Sequence, residues 1–169
     1  MSLLDKLRRD PPPTDLLRAL DRGDRLLGWA VLDDGTLLAA SRLGLRLADG
    51  RLVPWHTVDN VVWRAGTLIV TEAAEVSAGV REALPPVTLS LTEPRDLPAV
   101  VRARIIRSIA YTTTETVRGA RIRIVARRVP GRDGLSWSLR FDSAADRDDP
   151  GVRAAADQLL TETQSNLTL

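Results

Sequence analysis

RLLGWAVLDDGTLLAAS, residues 25–41, is the stretch whose reading decides the fold. Arg25 to Leu32 and Thr36 to Ser41 are apolar, strand-prone runs, and Asp33, Asp34 and Gly35 stand between them. An Asp-Gly pair supplies the positive φ that a tight hairpin turn requires, so the stretch predicts two antiparallel strands. The same punctuation continues downstream. Leu43, Leu45 and Leu47 alternate with Gly44, Arg46 and Ala48 up to the next Asp49-Gly50 turn, which is the period of a half-buried strand. Arg51 to Trp55 and Val58 to Arg64 predict a fourth and fifth strand, and Thr67 to Glu72 a sixth after Ala65-Gly66. Residues 73–86 lose the two-residue period and contain Gly79, Pro85 and Pro86, which predicts a loop with a helical turn over Ala78 to Leu84. Val87 to Leu91 is the seventh strand.

A helix follows. Asp96 is placed to cap it, Pro98 is tolerated in a first turn, and Leu97, Val101, Ile105 and Ile109 form an i, i+4 stripe over about 15 to 20 residues. Val100, Arg104, Arg107 and Tyr111 occupy its opposite side. Further on, Arg118 to Val129 predicts a strand with Ile122, Ile124 and Ala126 on one face and Arg121 and Arg123 on the other. Pro130 to Gly134 predicts a turn, and Leu135 to Asp142 a strand alternating Trp137, Leu139 and Phe141 with Ser136, Ser138 and Arg140. Asp149-Pro150 caps a final helix through about Leu160, with Val152, Ala155, Ala156 and Leu159 on its apolar side. Ahead of the strands, Ser2 and Asp5 suit a capping box. Pro11, Pro12 and Pro13 forbid continuation, and Thr14 can cap a second short piece ending at Gly23, so residues 1–23 read as a helical arm whose Leu3, Leu4 and Leu7 can dock elsewhere.

At 169 residues, one continuous core is expected, organised as an arm (1–23), a strand-rich unit with its closing helix (24–116) and an appended hairpin and helix (117–169). The composition, 44% hydrophobic and 27% charged, is that of a folded chain. No apolar run reaches about 18 residues, and the first ten residues are charged where a signal peptide is apolar, so a cytoplasmic protein is expected. With no cysteine there is no disulfide, thiolate metal site or cysteine nucleophile, in keeping with a reducing compartment. Lys6 is the only lysine among 24 basic residues, a bias that fits a GC-rich genome.

The net charge of +2 conceals a local excess. Arg95 to Arg140 holds 11 arginines against Asp96, Glu115 and Asp133, whereas the flanking segments are acidic on balance. Such asymmetry fits either an anionic partner or compensation within the fold or an oligomer. The anion-binding candidates are Arg104, Arg107, Arg118, Arg121, Arg123 and Arg140, because guanidinium groups converging from a helix and a sheet face create a field that attracts phosphates. Sheet readers of nucleic acid add exposed aromatics for stacking, but Trp137 and Phe141 alternate onto the apolar face, which argues against a nucleic-acid partner.

Catalytic and metal patterns are weak. His56 is the only histidine, so no two-His metal site exists, and with Asp59 it would have to build a hydrolase without a Gly-x-Ser-x-Gly motif. Asp142, Asp146, Asp148 and Asp149 lack EF-hand spacing and its closing glutamate, and no glycine-rich phosphate loop is present. No catalytic residue, metal or cofactor is expected. Trp29, Trp55, Trp63 and Trp137 read as packing residues.

The run Leu37-Leu38-Ala39-Ala40-Ser41-Arg42-Leu43-Gly44-Leu45-Arg46-Leu47, then Gly50, then Val53-Pro54-Trp55-His56-Thr57-Val58, then Gly66-Thr67-Leu68-Ile69-Val70, resembles the bacterial pleckstrin-homology-like domains. Those commonly show a T-x-x-R-L strand, a small-residue turn, an I-P-W/Y-x-x-I bend, a G-x-L-x-I strand and one terminal helix; here Ser41-Arg42 replaces the Thr-x-x-Arg spacing. The likeness spans roughly residues 24 to 114. It implies an α+β, mainly β fold: an antiparallel seven-strand barrel closed by a helix, with the hairpin and last helix appended. It also implies a non-enzymatic binding or assembly module, serving an unknown protein partner or self-association. The alternative is binding of anionic surfaces, lipid headgroups or nucleic acid, through residues 95–140, at the membrane periphery in the lipid case.

Overall fold

The computed structural model describes residues 11–167, so the expected first helical piece and its leucines lie outside the described residues. Helix α1 (Thr14–Arg18) is shorter than the piece expected to reach Gly23, and it buries only Leu16. Strands β1 (Leu26–Leu32), β2 (Leu37–Ser41), β3 (Gly44–Arg46) and β4 (Leu52–Pro54) form a meander. A 3-10 turn, Trp55–Thr57, leads to β5 (Val58–Arg64), and β6 (Thr67–Ser77) returns through Ala65 and Gly66, both at positive φ. Next come β7 (Val80–Ala83), β8 (Val87–Glu93) and helix α2 (Leu97–Ser108). Strands β9 (Ile109–Val117), β10 (Ala120–Arg128) and β11 (Leu135–Phe141) and helix α3 (Pro150–Leu167) complete the chain. Among the described residues no helix is long and apolar enough to cross a membrane.

The expected seven-strand barrel does not form. All eleven strands belong to one mixed sheet in the order β4-β3-β2-β1-β8-β6-β7-β11-β10-β9, with β5 paired to β6 alone. The sheet stays open because β4 and β5, joined by the 3-10 turn, do not pair with each other. Two features defeated the barrel reading. Strand β6 runs 11 residues: Thr67 to Val70 pair with β8, while Ala73 to Ser77 pair with β7, in the segment expected to be a loop. Val80 then seats β7 parallel to β11 at Leu139, which fuses the expected appendage to the same sheet.

Helix α2 also stops at Ser108, 12 residues long, because the following Tyr111-Thr112-Thr113-Thr114-Glu115-Thr116-Val117 is dominated by β-branched residues. Their crowding at χ1 favours strand over helix, and pairing with β10 from Val117 to Ile109 decides it. Arg118 and Gly119, at φ 49 and 79, make the two-residue turn that closes this hairpin, so β10 begins at Ala120.

The apolar residues fall into two clusters. The first packs Leu38, Leu45, Val53, Trp55, Leu68 and the α2 stripe Leu97, Val101 and Ile105. The second packs Val80, Ile122, Ile124 and Leu139 under Val152 and Ala156 of α3. Each fully buried aliphatic side chain contributes roughly 1.5–3 kcal/mol. In the first cluster β3 and β4 approach so closely that a Cβ on Gly44 would lie 2.3 Å from the carbonyl oxygen of Val53.

Candidate functional site

The strands and helix just described divide the six arginine candidates among three places. Arg104 and Arg107 stand on the flank of α2, because the Leu97, Val101, Ile105 stripe turns the other side of the helix into the core. There they meet two arginines that the sequence did not single out: Arg42 from the β2–β3 turn and Arg128, the last residue of β10. With Trp55, Ser108, Val129 and Pro130 these four line a cleft of about 250 Å³.

Its arginines are held by neutral acceptors. Arg104 Nη2 donates to the Arg42 carbonyl at 2.9 Å, and Arg128 Nη1 donates to the carbonyls of Arg107 and Ile109 at 3.2 Å. Those two carbonyls lie at the C-terminal end of α2, where the helix dipole favours a cation. Below them, Ser108 Oγ donates to Ile105 O at 2.7 Å and accepts from buried Arg127 Nη1 at 2.7 Å. Among the described residues no carboxylate lines the cleft and none of the four arginines makes an ion pair. Burial, then the repulsion of Arg107, Arg42 and Arg25, holds the Arg104 guanidinium below the ordinary arginine value; Asp24 opposes that shift from outside the cleft wall. Crowded like charges with no ion pair among the described residues make a site that gains from a bound anion.

Arg121, Arg123 and Arg140 share the sheet face opposite Ile122, Ile124 and Leu139. Arg123 sits directly opposite Arg140 across β10 and β11, and with Arg121, Thr114, Phe141 and Asp142 they line a groove of about 240 Å³. This set is partly compensated: Asp59 pairs with Arg140 at 2.6 Å and with Arg123 at 3.4 Å. Arg118 joins neither group. From its turn it reaches the start of α3, its Nη1 lying 3.0 Å from where a Cβ on Gly151 would be.

His56 and Asp59 line a cavity of only about 20 Å³ with Arg81, Arg127 and Ser138. Asp59 is engaged by the two arginines, and His56 Nδ1 is buried with no hydrogen-bond partner among the described residues, so the two are not hydrogen-bonded to each other. Burial, then the charges of Arg81, Arg132 and Arg127, pushes the His56 pKa below its usual value. The aspartates after β11 are likewise engaged locally: Asp142 accepts from Ser143 N, Asp146 from Asp148 N, and Asp149 caps α3. No group of three or more His, Asp or Glu among the described residues is placed to hold a metal ion.

The tryptophans separate too. Trp55 is 2% exposed and its Nε1 donates to Ser41 O, Trp29 lies under Arg95, Trp137 packs against Tyr111, and Trp63 is largely exposed. Arg42 carried no signal in the sequence, because it lies 62 positions from its hydrogen-bond partner Arg104 and no periodicity links them, and Arg128 was marked only as one of the arginines of residues 95–140. No family model, curated protein or solved structure matches this chain.

Proposed function

We propose that the chain is a non-enzymatic binding module, cytoplasmic, that takes phosphate-bearing ligands in the cleft formed by Arg42, Arg104, Arg107 and Arg128. The observation that carries this reading is the convergence of four arginines from three separate segments on one open cleft with no carboxylate in its wall. Guanidinium groups bind phosphate oxygens through paired, charge-assisted hydrogen bonds, and a site with uncompensated positive charge needs no internal ion pair to be broken first. The ligand is a compact phosphate group, as on a lipid headgroup, rather than a nucleic-acid strand. Base stacking needs an exposed aromatic platform, and the only aromatic in the cleft, Trp55, is 2% exposed.

The test is calorimetric titration with pyrophosphate at low and high salt, beside sedimentation with vesicles containing an anionic phospholipid and with single-stranded polynucleotide. Binding of pyrophosphate and vesicles that weakens steeply with salt is expected. Each of Arg42→Ala and Arg107→Ala is expected to weaken binding by about 10- to 100-fold, the worth of one charged hydrogen bond at roughly 1.5–3 kcal/mol. Unaltered affinity in both variants, or no binding at low salt, overturns the reading. Retention on polynucleotide alone would redirect it to nucleic acid.

A further inference from the structure

We propose that the chain self-associates through β9, two copies pairing antiparallel about Thr113 so that the sheet continues across a two-fold axis. The free edges of the sheet are built differently, and β5, paired to β6 alone, is seven residues long and carries Asp59 and Arg64. One end is β4, three residues long and terminated by Pro54, and short strands and prolines are what keep an edge from recruiting another strand. The other end is β9, nine residues long, containing no proline, no lysine and no arginine, and unpaired on its outer side among the described residues. A long edge of mostly β-branched residues, regular in its pairing from Tyr111 to Val117, is a template for a further strand.

The sequence of β9 identifies the occupant as a second copy. Pairing about Thr113 sets Tyr111 opposite Glu115 and Thr112 opposite Thr114, and, past the irregularity at Ala110, brings Ile109 to Val117 at the two ends. Apolar residues meet at the two ends and hydroxyls meet near the centre. Glu115, the only charged residue of the strand, meets a tyrosine hydroxyl that can donate to its carboxylate, which already accepts from Thr113 Oγ1 at 3.1 Å. Any other two-fold centre shortens the ladder, and centring on Glu115 sets two carboxylates face to face, which cross-strand pairing disfavours. The result is an isologous interface about 30 Å long.

The faces of β9 are also compatible with a partner. Tyr111, Thr113 and Glu115 lie on the side of Ala126, Ile124 and Ile122, while Thr112, Thr114 and Thr116 lie on the side of Arg123 and Arg121. Continuing the sheet through β9 therefore sets the arginine face of one copy beside that of the other, with Thr112 of the second copy next to Thr114 in the groove of Arg121, Arg123 and Arg140.

Light scattering tests this across a concentration series. The wild-type chain is expected to reach twice its 18.5 kDa mass as concentration rises. A chain carrying Thr112→Lys and Thr114→Lys sets lysine against lysine twice and is expected to remain single. A chain carrying Thr112→Glu and Thr114→Glu is expected to remain single for the same reason, and an equimolar mixture of the two to form a heterodimer. Both positions are exposed, and circular dichroism of each variant checks that the fold is kept. A wild-type mass of one chain at every concentration, doubling of the lysine variant, or a mixture of folded variants that stays single would each overturn the proposal. Pyrophosphate binding in the α2 cleft is read separately, so either idea can fail alone.

Discussion

His56 lies half-buried in the 3-10 turn with Arg81, Arg127 and Arg132 acting on it and Asp59 in the same cavity, and its pKa is held below 6.5. The unfolded chain, where the imidazole is free of that environment, therefore takes up its proton first as pH falls. Stability contributed by neutral His56 is complete above about pH 6.5 and is lost as pH drops toward the folded-state value. Urea unfolding from about pH 7.5 to about pH 5 should show the wild type losing more stability than His56→Gln. Equal losses would contradict this environment for the ring. At this scale the sequence was a partial guide. Arg104 and Arg107 were visible as neighbours because one turn of helix relates them, and Arg121 and Arg123 because strand alternation does. Arg42 and Arg128 joined the first pair only through the packing of α2 against the β2–β3 turn and the end of β10, which no local pattern encodes.

Among the elements, turns and caps were the most legible because their chemistry is local. Gly35, Gly50 and Gly66 all stand at positive φ in the turns where they were expected. Asp149 caps α3 with its Oδ1, accepting from Gly151 N at 2.7 Å and Val152 N at 2.9 Å. Asp149→Ala should cost about 1 kcal/mol in chemical unfolding, with Asp149→Ser recovering most of it; an unchanged midpoint would show that packing alone holds the helix start. Asp96, by contrast, makes no side-chain capping bond to α2. The apolar stripe was read correctly from Leu97 to Ile105 and wrongly extended to Ile109, and Tyr111, placed on the opposite side of the same helix, also falls beyond its end. The same spacing continued past Ser108 into β-branched sequence, where ladder pairing with β10 outweighs helical periodicity. Strand β7 was missed for the opposite reason: four residues between Gly79 and two prolines carry too little pattern, and Val80 becomes a strand residue by docking on Leu139.

For the whole molecule, strand count and local hairpins suggested a closed barrel, whereas the long-range pairings made an open sheet. Those pairings, β1 with β8 and β7 with β11, join segments far apart in sequence and leave no mark on either segment alone. The open architecture leaves α2 flanked by a cleft whose four arginines make no ion pair among the described residues, and this is the central functional claim. A ligand that binds only the folded chain stabilises it by about 2.7 kcal/mol at a hundredfold excess over its dissociation constant, roughly 5 to 10 °C in melting temperature for a chain of this size. The most direct measurement is thermal unfolding of the wild type and of Arg104→Gln/Arg128→Gln across a pyrophosphate series. The account predicts a midpoint that climbs with ligand in the wild type and stays flat in the variant, each read against that chain's own unliganded midpoint, because the variant also loses the hydrogen bonds to the carbonyls of Arg42, Arg107 and Ile109. A wild-type midpoint indifferent to pyrophosphate, or an equal climb in both chains, would contradict it.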